Sequence, residues 1–396
     1  MRTWITAILT FSCVLVMGQL RASAQEESYS MPLKTVPTFS TENIGRQGHF
    51  YIGGKWEGKP GEHRMRGAMY VDVWVPKKIR HPYPILFVQA GGGQTSIALL
   101  QTPDGRPGWA YDFVNQGYTI YMMDFPARGR AAFIPGLDGE IIPPRTGEHM
   151  EQVWTGGAPP PSPQRDWPQR TKYSQWPSNA PNKGQIGDPV FDYFAKMELP
   201  FPSADDMEPL AAEDLVQLVD LIKKPVILIL HSRLATSGWL LADARPKMVK
   251  AIIAAEPWGP PIQNHELDQR GPGHIWGLTN FPMHYDPPIK SASELQTVQE
   301  AKADGPGLVP CWLQKEPAHK LIALESIPVL NVSAEASYHR PYARCVAKWL
   351  NQAGVKTEYV NLEDVGLRGN GHQMMSEKNS AEIAKFFMRW LDKNAH

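Results

Sequence analysis

The stretch Val226-Ile227-Leu228-Ile229-Leu230, followed at once by His231-Ser232-Arg233, decides how this sequence folds. A short, unbroken run of branched apolar residues predicts a strand that is buried on both faces. A helical pattern follows near residues 237–244. The serine therefore stands in a tight turn between a buried strand and a helix.

Similar apolar runs alternate with helical patterns along most of the chain. Strands are predicted at 85–89, 118–124, 226–230, 251–255, 329–334 and 357–362, and helices at 107–116, 206–221 and 237–244. This alternation predicts an α/β fold with a mostly parallel sheet covered by helices on both faces. Residues 48–53 and 65–75 differ, because their composition and the turn between them predict antiparallel edge strands.

The last helix has the clearest pattern. Asn379 is predicted to cap it, with Glu382 three residues further on. One apolar stripe at helical spacing predicts core packing and consists of Ile383, Phe386, Phe387, Trp390 and Leu391.

Two stretches rich in proline and tryptophan interrupt the alternation. They lie at about 125–205 and 257–322 and predict insertions into one domain that spans residues 25–396. Long irregular segments in a compact domain are usually lids or binding loops, and the aromatic content argues against a disordered linker. We expect a cap that covers the substrate.

The amino-acid composition limits the kinds of molecule that this protein is expected to bind. Forty basic side chains balance forty acidic ones, and charged residues make up 20% of the chain. This balance gives no indication of binding to nucleic acid or to an anionic membrane, and it favours a small, fairly neutral and even apolar substrate. The apolar run near the N-terminus is too short for a membrane span, and the chain is compatible with a homodimer.

Residues 1–24 have the pattern of a signal peptide. Arg2 is followed by a short apolar run from Trp4 to Met17, and Ala22-Ser23-Ala24 is typical of a cleavage site. The mature protein is therefore expected to be secreted or periplasmic. Two cysteines then remain, Cys311 and Cys345, which are compatible either with one disulfide or with two separate buried thiols. They do not predict a metal site, since zinc requires about four clustered ligands.

Residues suited to nucleophilic catalysis follow three separate strands. A serine hydroxyl needs a base to accept its proton and a third group to hold that base. In α/β-hydrolases these residues occur in the order serine, acid, histidine along the chain. Ser232, Glu256 and His372 satisfy this order, and His372 alone among the histidines lies in the loop before the last helix. His339 and His284 are expected at the surface or in loops, without a catalytic role.

A second carboxylate fits the role of the acid that holds the histidine. Glu335 ends the next predicted strand and also fits the required order of residues.

Backbone N–H groups that stabilise the oxyanion are expected from Arg233 and from the glycine run 91–93, with Gly92 as the donor there. Neither a metal nor an organic cofactor is required for this chemistry.

Motifs spread over nearly the whole mature chain resemble those of the secreted bacterial esterases of the α/β-hydrolase superfamily in which the triad acid is a glutamate after strand six. They include Tyr51-Ile52-Gly53-Gly54-Lys55, Gly91-Gly92-Gly93-Gln94-Thr95, Thr102-Pro103-Asp104-Gly105-Arg106-Pro107-Gly108-Trp109, Asp243-Ala244-Arg245-Pro246, Glu335-Ala336-Ser337-Tyr338-His339 and Gly369-Asn370-Gly371-His372. The resemblance implies a serine esterase with Ser232 as nucleophile, Glu256 as acid and His372 as base.

The turn around the serine departs from that family. Leu230 and Leu234 occupy positions that are usually glycine, Arg233 and Ala235 replace glutamine and glycine, and Ala90 replaces a histidine. Bulky residues here are expected to strain or reshape the turn. One alternative is thus a binding protein with reduced or no turnover, and another is a lactonase or acyltransferase that uses the same residues.

Three further side chains are considered in relation to the substrate. Arg233 places a cation beside the serine, which motivates the hypothesis that the substrate is acidic. Asp124 and Arg128 lie at and just after the end of a predicted strand, and the sequence leaves open whether either contacts substrate.

Overall fold

The computed structural model of the chain describes residues 33, 35–89, 95–156, 167–203, 206–265 and 270–395. The predicted signal peptide at 1–24 and the glycine run that contains Gly92 lie outside the described residues. Within the described part of the chain, no helix combines the length and the apolar character that a membrane crossing needs.

The elements follow one another as the alternation predicts. In chain order the strands are β1 (Ile44–Glu57), β2 (Arg64–Pro76), β3 (Ile85–Gln89), β4 (Ile120–Asp124), β5 (Ile141–Ile142), β6 (Phe201–Pro202), β7 (Val226–Ser232), β8 (Val249–Pro257), β9 (Gln263–His265), β10 (Arg270–Pro272), β11 (Thr297–Gln299), β12 (Trp312–Gln314), β13 (Val329–Ser333) and β14 (Thr357–Asn361). The α-helices are α1 (Ile97–Leu100), α2 (Trp109–Asn115), α3 (Gly147–Val153), α4 (Pro189–Ala195), α5 (Met207–Ile222), α6 (Ala235–Ala244), α7 (Ala343–Gln352) and α8 (Ser380–Asn394).

Eight strands form the main sheet in the order β1-β2-β4-β3-β7-β8-β13-β14. β1 pairs antiparallel with β2, and β2 pairs antiparallel with β4. All other neighbours pair in parallel. The predicted antiparallel edge and mostly parallel sheet are therefore confirmed, and the carboxyl ends of the parallel strands meet at one edge.

Both faces of the sheet are covered, which explains the unbroken apolar run in β7. Leu228 and Leu230 belong to a core cluster formed with residues of α5, α6 and α7. Ile227 and Ile229 belong to a second cluster formed with residues of α2 and α8. Because successive side chains of a strand point to opposite faces, a strand between two helical layers needs apolar residues throughout.

Several predicted element boundaries differ from the structure by two residues or more, and two of them have a clear local cause. The helix predicted from Pro107 begins at Trp109, because Gly108 is extended and Pro107 forms an isolated bridge with Gln101. The strand predicted from Tyr118 begins at Ile120. Tyr118 still belongs to the turn after α2, where its N–H donates to the carbonyl of Phe113 at 3.2 Å.

The apolar stripe of α8 packs in the core as predicted, but its cap differs from the prediction. Asn379 precedes the helix and its carbonyl accepts the Ile383 N–H at 3.1 Å, whereas its side chain makes no capping hydrogen bond. The Asn379 amide instead exchanges two hydrogen bonds with the amide of Asn370, at 3.0 and 2.6 Å. Asn370 is fully buried, so its polar atoms need hydrogen-bond partners, and the side chain of Asn379 supplies them.

The two proline- and tryptophan-rich stretches lie between β4 and α5 and between β8 and β13. The first contains α3 and α4, which pack a small core of their own from Trp154, Trp176, Phe191 and Phe194. The second contains the short antiparallel pairs β9–β10 and β11–β12. A disulfide between Cys311 and Cys345 joins the second stretch to α7. That these insertions cover a substrate stays a prediction.

Candidate active site

Ser232 lies at the sharp turn between β7 and α6. Its backbone is in the left-handed region, with φ of 56°. This region costs a residue with a side chain roughly 1–2 kcal/mol, and such strain persists where the surrounding structure enforces it, often at functional sites. Here the Ser232 carbonyl accepts the Trp258 N–H at 3.0 Å, which ties the turn to the residue after β8.

The leucines beside this serine are accommodated without loss of the sharp turn. Leu230 is fully buried and lies against Gly238 in the first turn of α6. A Cβ at Gly238 would approach the Leu230 Cδ2 to 2.3 Å. The close approach of helix and strand is thus provided by Gly238, so the leucine at position 230 does not force α6 away from β7. The expectation that the bulky residues reshape the turn is wrong at this position.

His372 lies in the loop between β14 and α8, and its imidazole reaches the serine. The Nε2 atom of His372 lies 3.0 Å from the Ser232 Oγ. This is hydrogen-bond distance, which a general base needs to take the hydroxyl proton. Both side chains are buried, with Ser232 8% exposed and His372 1% exposed.

Glu256 lies on the other side of this histidine. It belongs to β8, the sixth strand of the main sheet in chain order, and its Oε2 lies 2.7 Å from the His372 Nδ1. Its Oε1 accepts the Ala334 N–H at 2.7 Å, and its Oε2 also accepts the Ser337 hydroxyl at 2.6 Å. Ser232, His372 and Glu256 therefore form one continuous line of hydrogen bonds.

The alternative acid, Glu335, has different partners. It follows β13 at the same sheet edge, where its Oε2 accepts the Gly369 N–H at 2.9 Å and its Oε1 pairs with the Lys172 Nζ at 3.3 Å. Both ring nitrogens of His372 are engaged by Ser232 and Glu256. Glu335 thus contacts the loop that carries the histidine, and Glu256 contacts the histidine itself.

Burial disfavours the charged forms of both Glu256 and His372. It raises the pKa of the Glu256 carboxyl, which the hydrogen bonds from Ser337 and Ala334 oppose, and it lowers the pKa of the His372 imidazole. A neutral imidazole that donates from Nδ1 to Glu256 leaves Nε2 as an acceptor for the Ser232 hydroxyl.

Two more imidazoles lie against His372. The ring centroid of His231 is 4.6 Å from that of His372, and the ring centroid of His339 is 4.5 Å from it. The pKa of each of these two rings is also lowered by burial, so the cluster is neutral at neutral pH. Both histidines lie in loops or turns as expected, but His339 is fully buried whereas His284 is exposed.

A carboxylate that sequence reasoning missed holds the histidine loop. Glu377 is fully buried and accepts the Gly371 N–H at 2.7 Å and the Asn370 side-chain amide at 2.6 Å. The first insertion also contacts this loop, because the Ser174 N–H donates to the Gly369 carbonyl at 3.0 Å. The position of His372 thus depends on segments before and after it in the chain.

Among the described residues, Glu256, His339 and His372 form a group whose ligand atoms lie within 4.8 Å of one another. That spacing suits a metal ion. However, both ring nitrogens of His372 already lie at hydrogen-bond distance from Ser232 and Glu256. Hydrogen bonds between side chains therefore account for the positions of His372 and Glu256 in this group.

The strain at Ser232 leads to a stability prediction. We expect Ser232→Gly to be more stable than Ser232→Ala by about 1 kcal/mol, because glycine adopts positive φ without steric cost. Equilibrium urea unfolding of both variants measures this difference. The matched control is Ser237, which lies inside α6, where alanine should instead exceed glycine by about 1 kcal/mol. The same sign at both positions would contradict strain at the turn.

No family model matches this chain. A probable secreted lipase, phiG, from a fungus (Fungal sp., strain ATCC 74256) is 39% identical over 351 residues, which cover 87% of this chain and 89% of the relative. A solved structure described as a novel bacterial esterase matches with a TM-score of 0.59 at 18% identity, covering 92% of this chain and all of that one. The second likeness concerns the fold alone.

These findings confirm the predicted fold class and the predicted enzyme class. The bacterial esterase shares the overall fold, and the fungal relative matches over nearly the full length of both chains. The chain therefore belongs to the family of secreted lipases and esterases with the α/β-hydrolase fold, which are carboxylic ester hydrolases.

Proposed function

We propose that this protein hydrolyses carboxylic esters through an acyl-enzyme on Ser232, with His372 as general base and Glu256 as the residue that orients it. The observation that carries the proposal is the line of hydrogen bonds from the Ser232 Oγ to the His372 Nε2 and from the His372 Nδ1 to the Glu256 Oε2. Its order and distances are those that nucleophilic catalysis by serine needs.

Each residue has a defined part in the reaction. His372 Nε2 takes the Ser232 proton as Oγ attacks the ester carbonyl, and it returns that proton to the leaving alcohol as the carbon–oxygen bond breaks. A water molecule then attacks the acyl carbon as one of its protons passes to His372. His372 gives that proton to the Ser232 Oγ as the bond between Oγ and the acyl carbon breaks, which releases the acid product and restores the serine hydroxyl. Glu256 holds the imidazole tautomer and stabilises the imidazolium that forms in each step.

The oxyanion of each tetrahedral intermediate requires backbone donors. Arg233 follows the nucleophile, and its backbone N–H has no acceptor among the described residues. We assign it as one donor and Gly92, which lies outside the described residues, as the second. Donors held in a buried site stabilise developing charge far more than solvent does.

The insertions are proposed to cover the substrate. A cavity beside the Ser232 turn is lined by Ile142 and Pro202 from the first insertion and by Trp258 and Phe281 from the second. Side chains from both stretches thus face the same space. We further propose that the protein acts as a secreted or periplasmic enzyme after removal of residues 1–24, as the secreted fungal relative suggests.

The acyl-enzyme is tested by its kinetics and by covalent labelling. With a p-nitrophenyl ester, we expect a burst of p-nitrophenol equal to the enzyme concentration, because this good leaving group makes acylation faster than hydrolysis of the acyl-enzyme, which then accumulates. A fluorophosphonate should add one label per chain, and peptide mass spectrometry should place it on Ser232. Absence of both burst and label would indicate a hydrolase-fold binding protein. A burst with a label on another serine would refute the assignment of Ser232.

A further inference from the structure

A cavity of about 330 Å³ lies beside the Ser232 turn. Arg233 and Leu234, the two residues after the serine, line it, as does Trp258, whose N–H holds the Ser232 carbonyl. Small-molecule sites commonly have this size or larger, with mostly apolar walls and a few placed polar groups. The polar groups of this wall include two guanidinium groups.

Arg128 is the deeper of these two cations. Its side chain is 6% exposed and lines the cavity, and its guanidinium lies 5.5 Å from the centre of the Phe201 ring. Its Nη1 is buried, and no hydrogen-bond partner for it is found among the residues that the structure describes. A buried cationic nitrogen without an acceptor is costly, since desolvation is not compensated by a hydrogen bond. Such a group is satisfied if a ligand supplies the acceptor.

Arg233 approaches the same space from the turn. Its guanidinium stacks over Trp258 at 4.8 Å from the ring centre, and its Nε contacts the Glu208 Oε1 at 3.4 Å. The contact with Glu208 uses only Nε, and among the described residues no acceptor is found for the two Nη atoms. The aromatic ring therefore orients a guanidinium whose outer nitrogens are available to a ligand.

Cationic side chains outnumber carboxylates among the residues that line the cavity. Arg128 and Arg233 both line it. Burial, with a smaller contribution from the repulsion by Arg233, lowers the pKa of Arg128 to about 10, which still leaves it cationic at neutral pH. Glu208 also lines the cavity, whereas Glu198 acts on Arg128 without being part of the wall. Two cations and one carboxylate face the cavity, so an anionic ligand group would relieve the repulsion between the arginines.

We propose that Arg128 and Arg233 form a subsite for a carboxylate carried by the substrate, so that the preferred esters are monoesters with a second, free carboxyl group. This inference rests on the proposed ester hydrolysis at Ser232. Planar guanidinium groups pair with carboxylates through charge-assisted, often bidentate hydrogen bonds. The position beside the Ser232 turn would place the free carboxylate at one end of the acyl chain and the ester at the other.

The test compares esters that differ only in the charge at the far end of the acyl group. The probes are p-nitrophenyl monoesters of linear dicarboxylic acids of graded length, their methyl-capped neutral counterparts, and matched ω-amino acyl esters. The measured quantity is the ratio of kcat/KM for the carboxylate ester to that for its neutral counterpart. Both kcat/KM values in this ratio are measured on the same protein, so a general loss of activity in a variant lowers both values and leaves the ratio unchanged.

We expect the wild-type ratio to exceed one at some chain length, and Arg128→Gln and Arg233→Gln each to lower it by about 10- to 100-fold, the usual effect of one charge-assisted hydrogen bond. Arg46→Gln, an exposed position on β1, is the matched control and should leave the ratio unchanged. If Arg128→Gln does not fold, the test is made with Arg233→Gln alone, because the side chain of Arg233 is 39% exposed.

Different experimental results would overturn the carboxylate subsite and the proposed ester hydrolysis. Hydrolysis of neutral esters with a wild-type ratio of one or less, a ratio unaffected by either arginine variant, or a preference for the amino esters would each overturn the subsite while leaving ester hydrolysis intact. Absence of hydrolysis with every probe would overturn the proposed function itself.

Discussion

Ser232→Ala should lower kcat for ester hydrolysis by about 10⁴-fold or more, with little change in KM. Alanine removes the oxygen that lies 3.0 Å from the His372 Nε2, so no acyl-enzyme can form. The residual rate would come from binding and the backbone donors alone, and enzymes of this type retain only a small part of their rate acceleration without the nucleophile. Steady-state kinetics with a p-nitrophenyl ester measure this loss, and the fluorophosphonate label should disappear with it.

The control for this variant is Ser293→Ala, which changes an exposed serine in the second insertion. It should keep wild-type kinetics and labelling. Circular dichroism should be the same for both variants and the wild type, which excludes unfolding as the cause of the loss. A Ser232→Ala enzyme that keeps more than about a tenth of the wild-type kcat would contradict the role of Ser232 as nucleophile.

Glu256→Gln should lower kcat by about 10³- to 10⁴-fold. Glu256 Oε2 accepts hydrogen bonds from both the His372 Nδ1 and the Ser337 hydroxyl. A glutamine amide that presents its nitrogen there would favour the tautomer with the proton on Nε2, which cannot accept the Ser232 proton. The loss should fall on kcat more than on KM, because the carboxylate stabilises charge that develops only during the reaction.

Glu335→Gln is the matched control for this effect. It removes a carboxylate at the end of the neighbouring strand, and its amide oxygen can still accept the Gly369 N–H that Glu335 accepts at 2.9 Å. We expect a loss in kcat of less than about tenfold, because the ring of His372 keeps its own partner. A larger loss in Glu335→Gln than in Glu256→Gln would show that Glu335 is the functional acid.

Local sequence patterns predicted most elements of the fold because each depends on residues close in the chain. The continuous apolar run of β7 predicted a strand covered on both faces, and the spacing from Ile383 to Leu391 predicted the buried side of α8. One error occurred where a distant residue competed for a side chain. Asn379 does not cap α8 because the buried amide of Asn370 takes both of its polar groups.

The leucines beside Ser232 illustrate the same limit. The sequence indicated a turn that had lost its small residues, and local reasoning predicted a reshaped geometry. The compensating residue, Gly238, lies six positions after the serine and removes the conflict only because α6 packs back on β7. A packing solution of this kind depends on two elements together, so neither segment predicts it alone.

The sequence by itself determined the α/β fold class and the order in which a serine, a glutamate and a histidine follow successive strands. It could not separate Glu256 from Glu335, because both follow parallel strands that end at one sheet edge. Tertiary structure decided which carboxylate lies against His372, buried His231 and His339 beside it, and brought Arg128 and Arg233 to one cavity. The physical reason is that these contacts join residues far apart in the chain, where packing and burial set the distances, whereas strands and helices arise from patterns within a few neighbouring residues.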